Sequence, residues 1–230
     1  MDYLLDLHTA SFGRVNSLYV RADMNVPLVR RLAQLQQPQI IVHNTGPDGS
    51  MRAAAADMGI HAVTLEIGNP QRFHSSFVDR AVAGVLRTLA YLNIASEADL
   101  QLRQAASSKG LASAGAKLTP SEPLTPGAAL TPAQSASAAD PVVCARSFWI
   151  FTRAGGVLFV LPSVNTWVHK GQVIAEVRSI FGELVDRHVA PMDGIVVGKS
   201  DNPVCRSGDR VLHLGVHDHQ HFPGTVSDGH

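Results

Sequence analysis

Two short runs carry side chains that could do chemistry together. Tyr3-Leu-Leu-Asp-Leu-His8-Thr9 closes on an imidazole, and Ala62-Val-Thr-Leu-Glu66-Ile-Gly68 closes on a carboxylate. Each run is apolar and partly β-branched, long enough for a buried strand and too short for a helix. In open α/β sheets, ligands and reacting groups gather where the carboxyl ends of strands release side chains into a crevice. A neutral imidazole there can hold a metal, and a carboxylate beside it can take a proton from a metal-bound water. Without context, a histidine at a strand end is more often a hydrogen-bonded polar residue than a ligand. A glutamate at the end of an apolar strand is harder to explain, because burying a carboxylate is costly unless it is paired. A catalytic zinc normally has three protein ligands, and His43, His61 and His74 fall at spacings that match no familiar ligand pattern.

The elements that must position these groups follow from periodicity. Ser17-Leu-Tyr-Val-Arg21 reads as extended. Leu28, Val29, Leu32 and Leu35 recur at helical spacing, with Asn25 as the expected N-cap and Pro27 in the first turn. Gln39 to His43 reads as a buried strand. Met51 to Met58 is an alanine-rich helix that Gly59 can end in the left-handed conformation. After the Glu66 strand, Phe77, Ala81, Val85, Leu89 and Leu92 mark an amphipathic helix. Alternating strands and helices over residues 1–95 predict a mostly parallel α/β arrangement.

Residues 96–141 differ in kind. Ser, Ala, Pro, Gly and Thr dominate, and Leu-Thr-Pro recurs at Leu118, Leu124 and Leu130. Such a composition buries too little apolar surface to offset its ordering entropy, so it reads as a disordered linker or insertion. From 142 to 216, short apolar runs alternate with turns at Gly155-Gly156, Lys170-Gly171, Asp193-Gly194 and Ser207-Gly208-Asp209, which predicts a small all-β barrel or sandwich. Residues 217–230 form a His-rich tail in which His217, His219 and His221 alternate.

Composition narrows the function. Lys plus Arg and Asp plus Glu both number 19, and this balance argues against nucleic acid or anionic lipid as the main partner. Two cysteines make no disulfide framework, which favours a reducing compartment and a cytoplasmic location. No apolar run approaches the roughly 18–20 residues of a membrane span.

The segments Asp6-Leu-His-Thr9, Gly13-Arg-Val-Asn-Ser-Leu-Tyr-Val-Arg21, Met51-Arg-Ala-Ala-Ala-Ala-Asp-Met-Gly-Ile60 and Val63-Thr-Leu-Glu-Ile-Gly-Asn-Pro70 resemble the second half of the catalytic domain of the succinylglutamate desuccinylase/aspartoacylase family. That family is a branch of the zinc-carboxypeptidase-like fold. Ala145-Arg-Ser-Phe-Trp149, Gly155-Gly-Val-Leu-Phe159, Val168-His-Lys-Gly171 and Val189-Ala-Pro-Met-Asp-Gly-Ile195 resemble the β domain that follows in the same family. The resemblance implies a partial zinc-carboxypeptidase-like α/β domain and then a β domain, with hydrolysis of an N-acyl amino acid by Zn2+ and activated water. It assigns His8 as a zinc ligand, Glu66 as general base or acid, and Arg52 as a grip for a substrate carboxylate.

The family's other two zinc ligands form a His-x-x-Glu pair upstream of Asp-Leu-His-Thr, and no such pair precedes His8. The chain therefore reads as a truncated, degenerate or mis-delimited member, and a non-catalytic binding or scaffolding role is the alternative. The Lys-Gly turn and the Ala-Pro-Met-Asp-Gly motif also resemble biotinyl and lipoyl carrier domains. The hairpin Val177-Arg-Ser-Ile-Phe-Gly-Glu183 lacks the lysine that carrier chemistry requires.

Overall fold

A computed structural model describes residues 1–45, 48–96 and 140–217. The first part contains β1 (Tyr3–His8), β2 (Arg14–Asn16), β3 (Leu18–Ala22), α1 (Pro27–Leu35), β4 (Ile40–His43), α2 (Met51–Asp57), β5 (His61–Ile67) and α3 (Ser75–Tyr91). The second contains β6 (Val142–Phe151), β7 (Gly156–Val160), β8 (Trp167–Val168), β9 (Val173–Arg178), β10 (Leu184–Val189), β11 (Gly194–Ser200), β12 (Val204–Cys205) and β13 (Arg210–His217). The linker and tail segments 97–139 and 218–230 lie outside the described residues.

One sheet runs through both parts in the order β1-β5-β3-β4-β6-β13-β11-β2, with β8 also paired to β11. A second, antiparallel sheet has the order β10-β9-β7-β12. The mostly parallel α/β expectation holds, with one antiparallel pair. The pairs β1–β5, β3–β4 and β4–β6 are parallel, but β3 runs antiparallel to β5. Parallel neighbours need a crossover, usually a helix. Only a turn at Gly13 (φ +74°) and short β2 separate β1 from β3, so β3 returns in the opposite direction.

Local signals explain most of the elements. Pro27 opens α1 with its fixed φ, yet the N-cap is Val26 rather than the expected Asn25. The side chain of Asp23 accepts the Asn25 N–H at 2.9 Å, which holds Asn25 in a turn ahead of the helix. Val26 is extended (φ −86°, ψ 113°), as a residue before proline should be. Ser50 caps α2 by accepting the Ala53 N–H at 3.1 Å, and Gly59 follows at φ +76°. In α3, Ala81 is buried and Phe77 packs against the same core.

Strand alternation sorts the shared sheet into two faces. Leu18, Val20, Ile41, Val63, Leu65 and Val143 form one face, covered by Val29, Leu32 and Ala33 of α1 and Ala81 of α3. On the opposite face Tyr19, Ile40, Val42 and Cys144 pack against Ile195 and Val197 of β11. A third core, including Val168, Ile174, Val177, Val211 and Leu214, fills the β part. The middle cluster is the seam between the first part and the second. Gly215 belongs to it, because a Cβ there would meet Cys144 Sγ at 2.6 Å and Val197 Cγ2 at 3.0 Å.

Gly215→Val should therefore cost about 1–3 kcal/mol, the usual scale of overpacking. Urea denaturation can be followed by tryptophan emission, which reports residues 140–217, and by helix circular dichroism, which reports residues 1–96 among those described. The two transitions should coincide and shift together. A shift confined to the tryptophan signal would contradict a shared core.

Candidate active site

Register places the chemistry. His8 on β1 is the partner of Glu66 on β5, and Glu66 is in turn the partner of Tyr19 on β3. One step back along the strands, Asp6, Thr64 and Arg21 make a parallel row. Residues two apart on a strand share a face, so these six side chains form one polar patch. They line a cavity of about 570 Å³, walled by Arg14 and Asn16 of β2, Asn44, Asp48, Ser50, Met51, and Trp149 and Arg210 from the β part. The site sits where β1 and β5 end, as the sequence predicts for His8 and Glu66.

Glu66 is only partly exposed. Burial pushes its carboxyl above the usual range, while Arg21, His8, the Asn16 amide and the Tyr19 hydroxyl favour the anion; burial prevails. Asn16 Nδ2 donates to Glu66 Oε2 at 3.3 Å. Tyr19, 2% exposed, has its phenol pushed up to about 12 by burial, and its hydroxyl accepts from Arg21 Nη2 at 3.1 Å. The result is a carboxyl suited to holding a proton at a higher pH than an exposed glutamate would, beside an imidazole.

Arg52 is not brought into that group. It is buried, and its guanidinium donates to Asp48 Oδ2 at 2.8 Å and to Asn44 Oδ1 at 3.0 Å. It therefore braces two residues of the cavity wall. His43 accepts the Met24 N–H at Nδ1 (3.0 Å), tying the end of β4 to the loop before α1.

His8 Nε2 lies 2.8 Å from Asp6 Oδ1. Among the described residues, no group of three His, Cys, Asp or Glu stands close enough to hold a metal ion. The described residues supply one imidazole toward a zinc and do not by themselves fit a zinc centre.

Residues 1–92 match the succinylglutamate desuccinylase/aspartoacylase catalytic domain. Over those residues, less than half of its length, the chain is similar to that family. Solved structures share its fold: the ectoine utilization protein EutE (DoeB) from Ruegeria pomeroyi in its apo form (TM-score 0.68, 16% identity, 94% of this chain and 60% of that one). A succinylglutamate desuccinylase/aspartoacylase from Rhodobacter sphaeroides follows (0.67, 16%, 94% and 59%). A succinylglutamate desuccinylase from Silicibacter sp. is similar (0.65, 15%, 94% and 58%). The chain thus spans about 60% of the length of the first of these. No curated protein sequence matches it significantly. Among the described residues, no helix is long and apolar enough to cross a membrane.

Several wall residues were not singled out from sequence. Arg14, Asn16, Tyr19 and Arg21 lie inside the family-like segment from Gly13 to Arg21, and strand alternation alone groups Tyr19 with Arg21. Trp149 and Arg210 arrive only through the pairing of β6 with β13. Behind Trp149, His213 stacks on the indole (centroids 4.9 Å apart, 12° between planes) with Nε2 2.8 Å from Ser147 Oγ.

Burial lowers the pKa of His213 to about 3. Between that value and the ordinary 6.5 the unfolded chain takes up a proton that the folded chain refuses. This contribution is complete above about pH 6.5 and is lost as the pH falls toward 3. His213→Phe keeps the stack and removes the titration, so its urea midpoint should fall less between pH 7 and pH 4 than that of the unaltered chain. An equal fall in both would show that His213 does not set the acid limit.

Proposed function

We propose that this chain carries the proton-transfer half of a zinc-dependent deacylase acting on the amide bond of an N-acyl amino acid. The observation that supports it most is the His8–Glu66 register at the ends of adjacent parallel strands, with Glu66 shielded from water. A carboxyl held above its usual range can accept a proton from an attacking water and return it to the leaving amine, and its efficiency rises as its pKa nears the working pH. Asn16 aims the carboxyl through Oε2, and Tyr19 and Arg21 close the floor beside it. On this reading His8 contributes one ligand to Zn2+, and Arg52 shapes the substrate side of the cavity by fixing Asn44 and Asp48.

The second reading, a non-catalytic family member that binds a small molecule, draws its support from the donor set. His8 is already paired with Asp6, and no group of three possible ligands stands together among the described residues.

Two measurements separate the readings. Metal analysis of the purified chain should find little zinc, and His8→Ala should change it little; stoichiometric zinc lost on that substitution would overturn the one-ligand assignment. Fused behind the N-terminal part of a family member that carries His-x-x-Glu, the chain should hydrolyse an N-acyl amino acid. In that fusion Glu66→Gln should keep the metal and lower kcat by about 10²–10⁴. A folded, zinc-loaded fusion with no turnover would favour the binding role.

A further inference from the structure

Outside the cavity, the second sheet ends in a strand whose outer edge is closed by side chains. Among the described residues, β10 pairs with β9 alone. An edge strand offers a row of free backbone N–H and C=O groups to any other strand, and soluble proteins cover such edges. The direction of these groups follows from the ladder. Leu161 N–H donates to the Ile174 carbonyl at 2.9 Å, so the Ile174 backbone faces β7. Antiparallel pairs alternate between bonded and non-bonded, so Glu176, two residues on, also faces β7. Arg187 is the register partner of Glu176, and its backbone groups therefore point away from β9, out of the sheet edge.

Side chains occupy both of those groups. The Arg187 N–H donates to Asp186 Oδ1 at 2.8 Å, and the Arg187 carbonyl accepts from Arg153 Nη2 at 3.1 Å. Arg153 also donates through Nε to Asp186 Oδ2 at 3.0 Å and through Nη2 to Oδ1, so its fork fixes the carboxylate as well. Arg153 comes from the turn between β6 and β7, and its side chain is 70% exposed. An exposed ion pair stabilises a fold little, but over an open edge it denies an incoming strand two backbone bonds. Register irregularities at Leu184/Asp186 and His188/Val189 leave Arg187 in the middle of the regular stretch of β10.

We propose that the edge of β10 is a surface on which a second copy of this chain docks, held shut by the Arg153–Asp186 clip. The strand is self-complementary. Val185 and Val189, 49% and 48% exposed, stand two residues to either side of Arg187. Antiparallel pairing of two copies about Arg187 sets Val185 of each against Val189 of the other. It also lets the two Arg187 residues exchange both N–H···O bonds. The like charges that meet there are offset, since Arg187 Nη2 lies 3.0 Å from Glu176 Oε1 of its own chain. A formal net charge of zero adds no long-range repulsion between copies. Pairing about a twofold axis closes on itself and gives a dimer. The clip must open first, so the intact chain resists this dimer and a chain without the clip forms it.

The test compares the full chain with Arg153→Ala plus Asp186→Ala by sedimentation velocity over a concentration series, while NMR follows exchange of the Arg187 amide. Without the clip, the dimer should form at protein concentrations about tenfold below those the parent needs, the scale of one lost charge-assisted contact. The Arg187 amide should exchange faster than the parent's in dilute solution, where its acceptor is gone, and more slowly as the concentration rises. Adding Val185→Lys with Val189→Lys should restore the parent's sedimentation, because lysines block an edge. Arg153→Ala alone frees only the carbonyl and should fall between; it carries the test if the double variant does not fold, and equality with the parent would then overturn the proposal. A folded clip-free chain that sediments like the parent, with Arg187 exchange independent of concentration, would overturn it too. So would a dimer that survives the added lysines, or growth into open-ended aggregates in place of a dimer.

Discussion

The joining of the two walls of the site depends on the backbone pairing of β6. One edge of this strand is parallel to β4 of the α/β part, and the other is antiparallel to β13 of the β part. That pairing makes one sheet from two stretches of chain that the sequence separates by more than forty residues of a different composition. The pairing of β2 with β11 at the far edge closes the same connection from the other side. Trp149 and Arg210 stand over the α/β cavity only because these ladders form, and Asn16 reaches Glu66 for the same reason.

Glu66 shows what that arrangement costs. Burial opposes its charge more strongly than Arg21, His8, Asn16 and Tyr19 together favour it. A carboxyl in this position lowers the stability of the folded state as the pH rises from the ordinary carboxyl range through its folded pKa, by about 1.4 kcal/mol for every tenfold change in proton affinity. The fold tolerates this beside the bare backbone of Gly198, the register partner of Asn16 on β11. A Cβ at Gly198 would press on the Asn16 side chain and lie 3.1 Å from the Val15 carbonyl. The absence of a side chain at Gly198 thus lets Asn16 approach and orient the carboxyl. Glu66 is thus a desolvated acid oriented through a close backbone approach.

The strands, the helices and the His8–Glu66 pair were legible in the sequence because each rests on local signals. Apolar runs of strand length, a capping serine and a left-handed glycine act within a few residues. The direction of β3 was not legible: it depends on whether β1 returns through a helix or a turn, and Gly13 with a three-residue strand leaves no periodic signature. The cap of α1 was missed by one residue because Pro27 at the first helical position keeps Val26 extended, which makes Val26 the N-cap. The resemblance offered Arg52 as a grip for a substrate carboxylate, and only the loop carrying Asn44 and Asp48 reveals that its guanidinium is bonded and buried. Arg14 and Arg210, both over the Trp149 ring, were invisible because they converge through β2–β11 and β6–β13 pairing, a relation no single stretch of sequence contains.

The central claim is that this sheet holds Glu66, beside His8, as a carboxyl that keeps its proton to a higher pH than an exposed glutamate does. Carbon-13 NMR of the glutamate side-chain carboxyls, with the Glu66 signal assigned from Glu66→Gln, measures it directly in the unliganded chain. The Glu66 resonance should titrate at a pH clearly above that of exposed glutamates in the same spectrum, and Gly198→Ala should move it further upward by displacing the Asn16 amide. A Glu66 that titrates with, or below, the exposed glutamates would contradict the account.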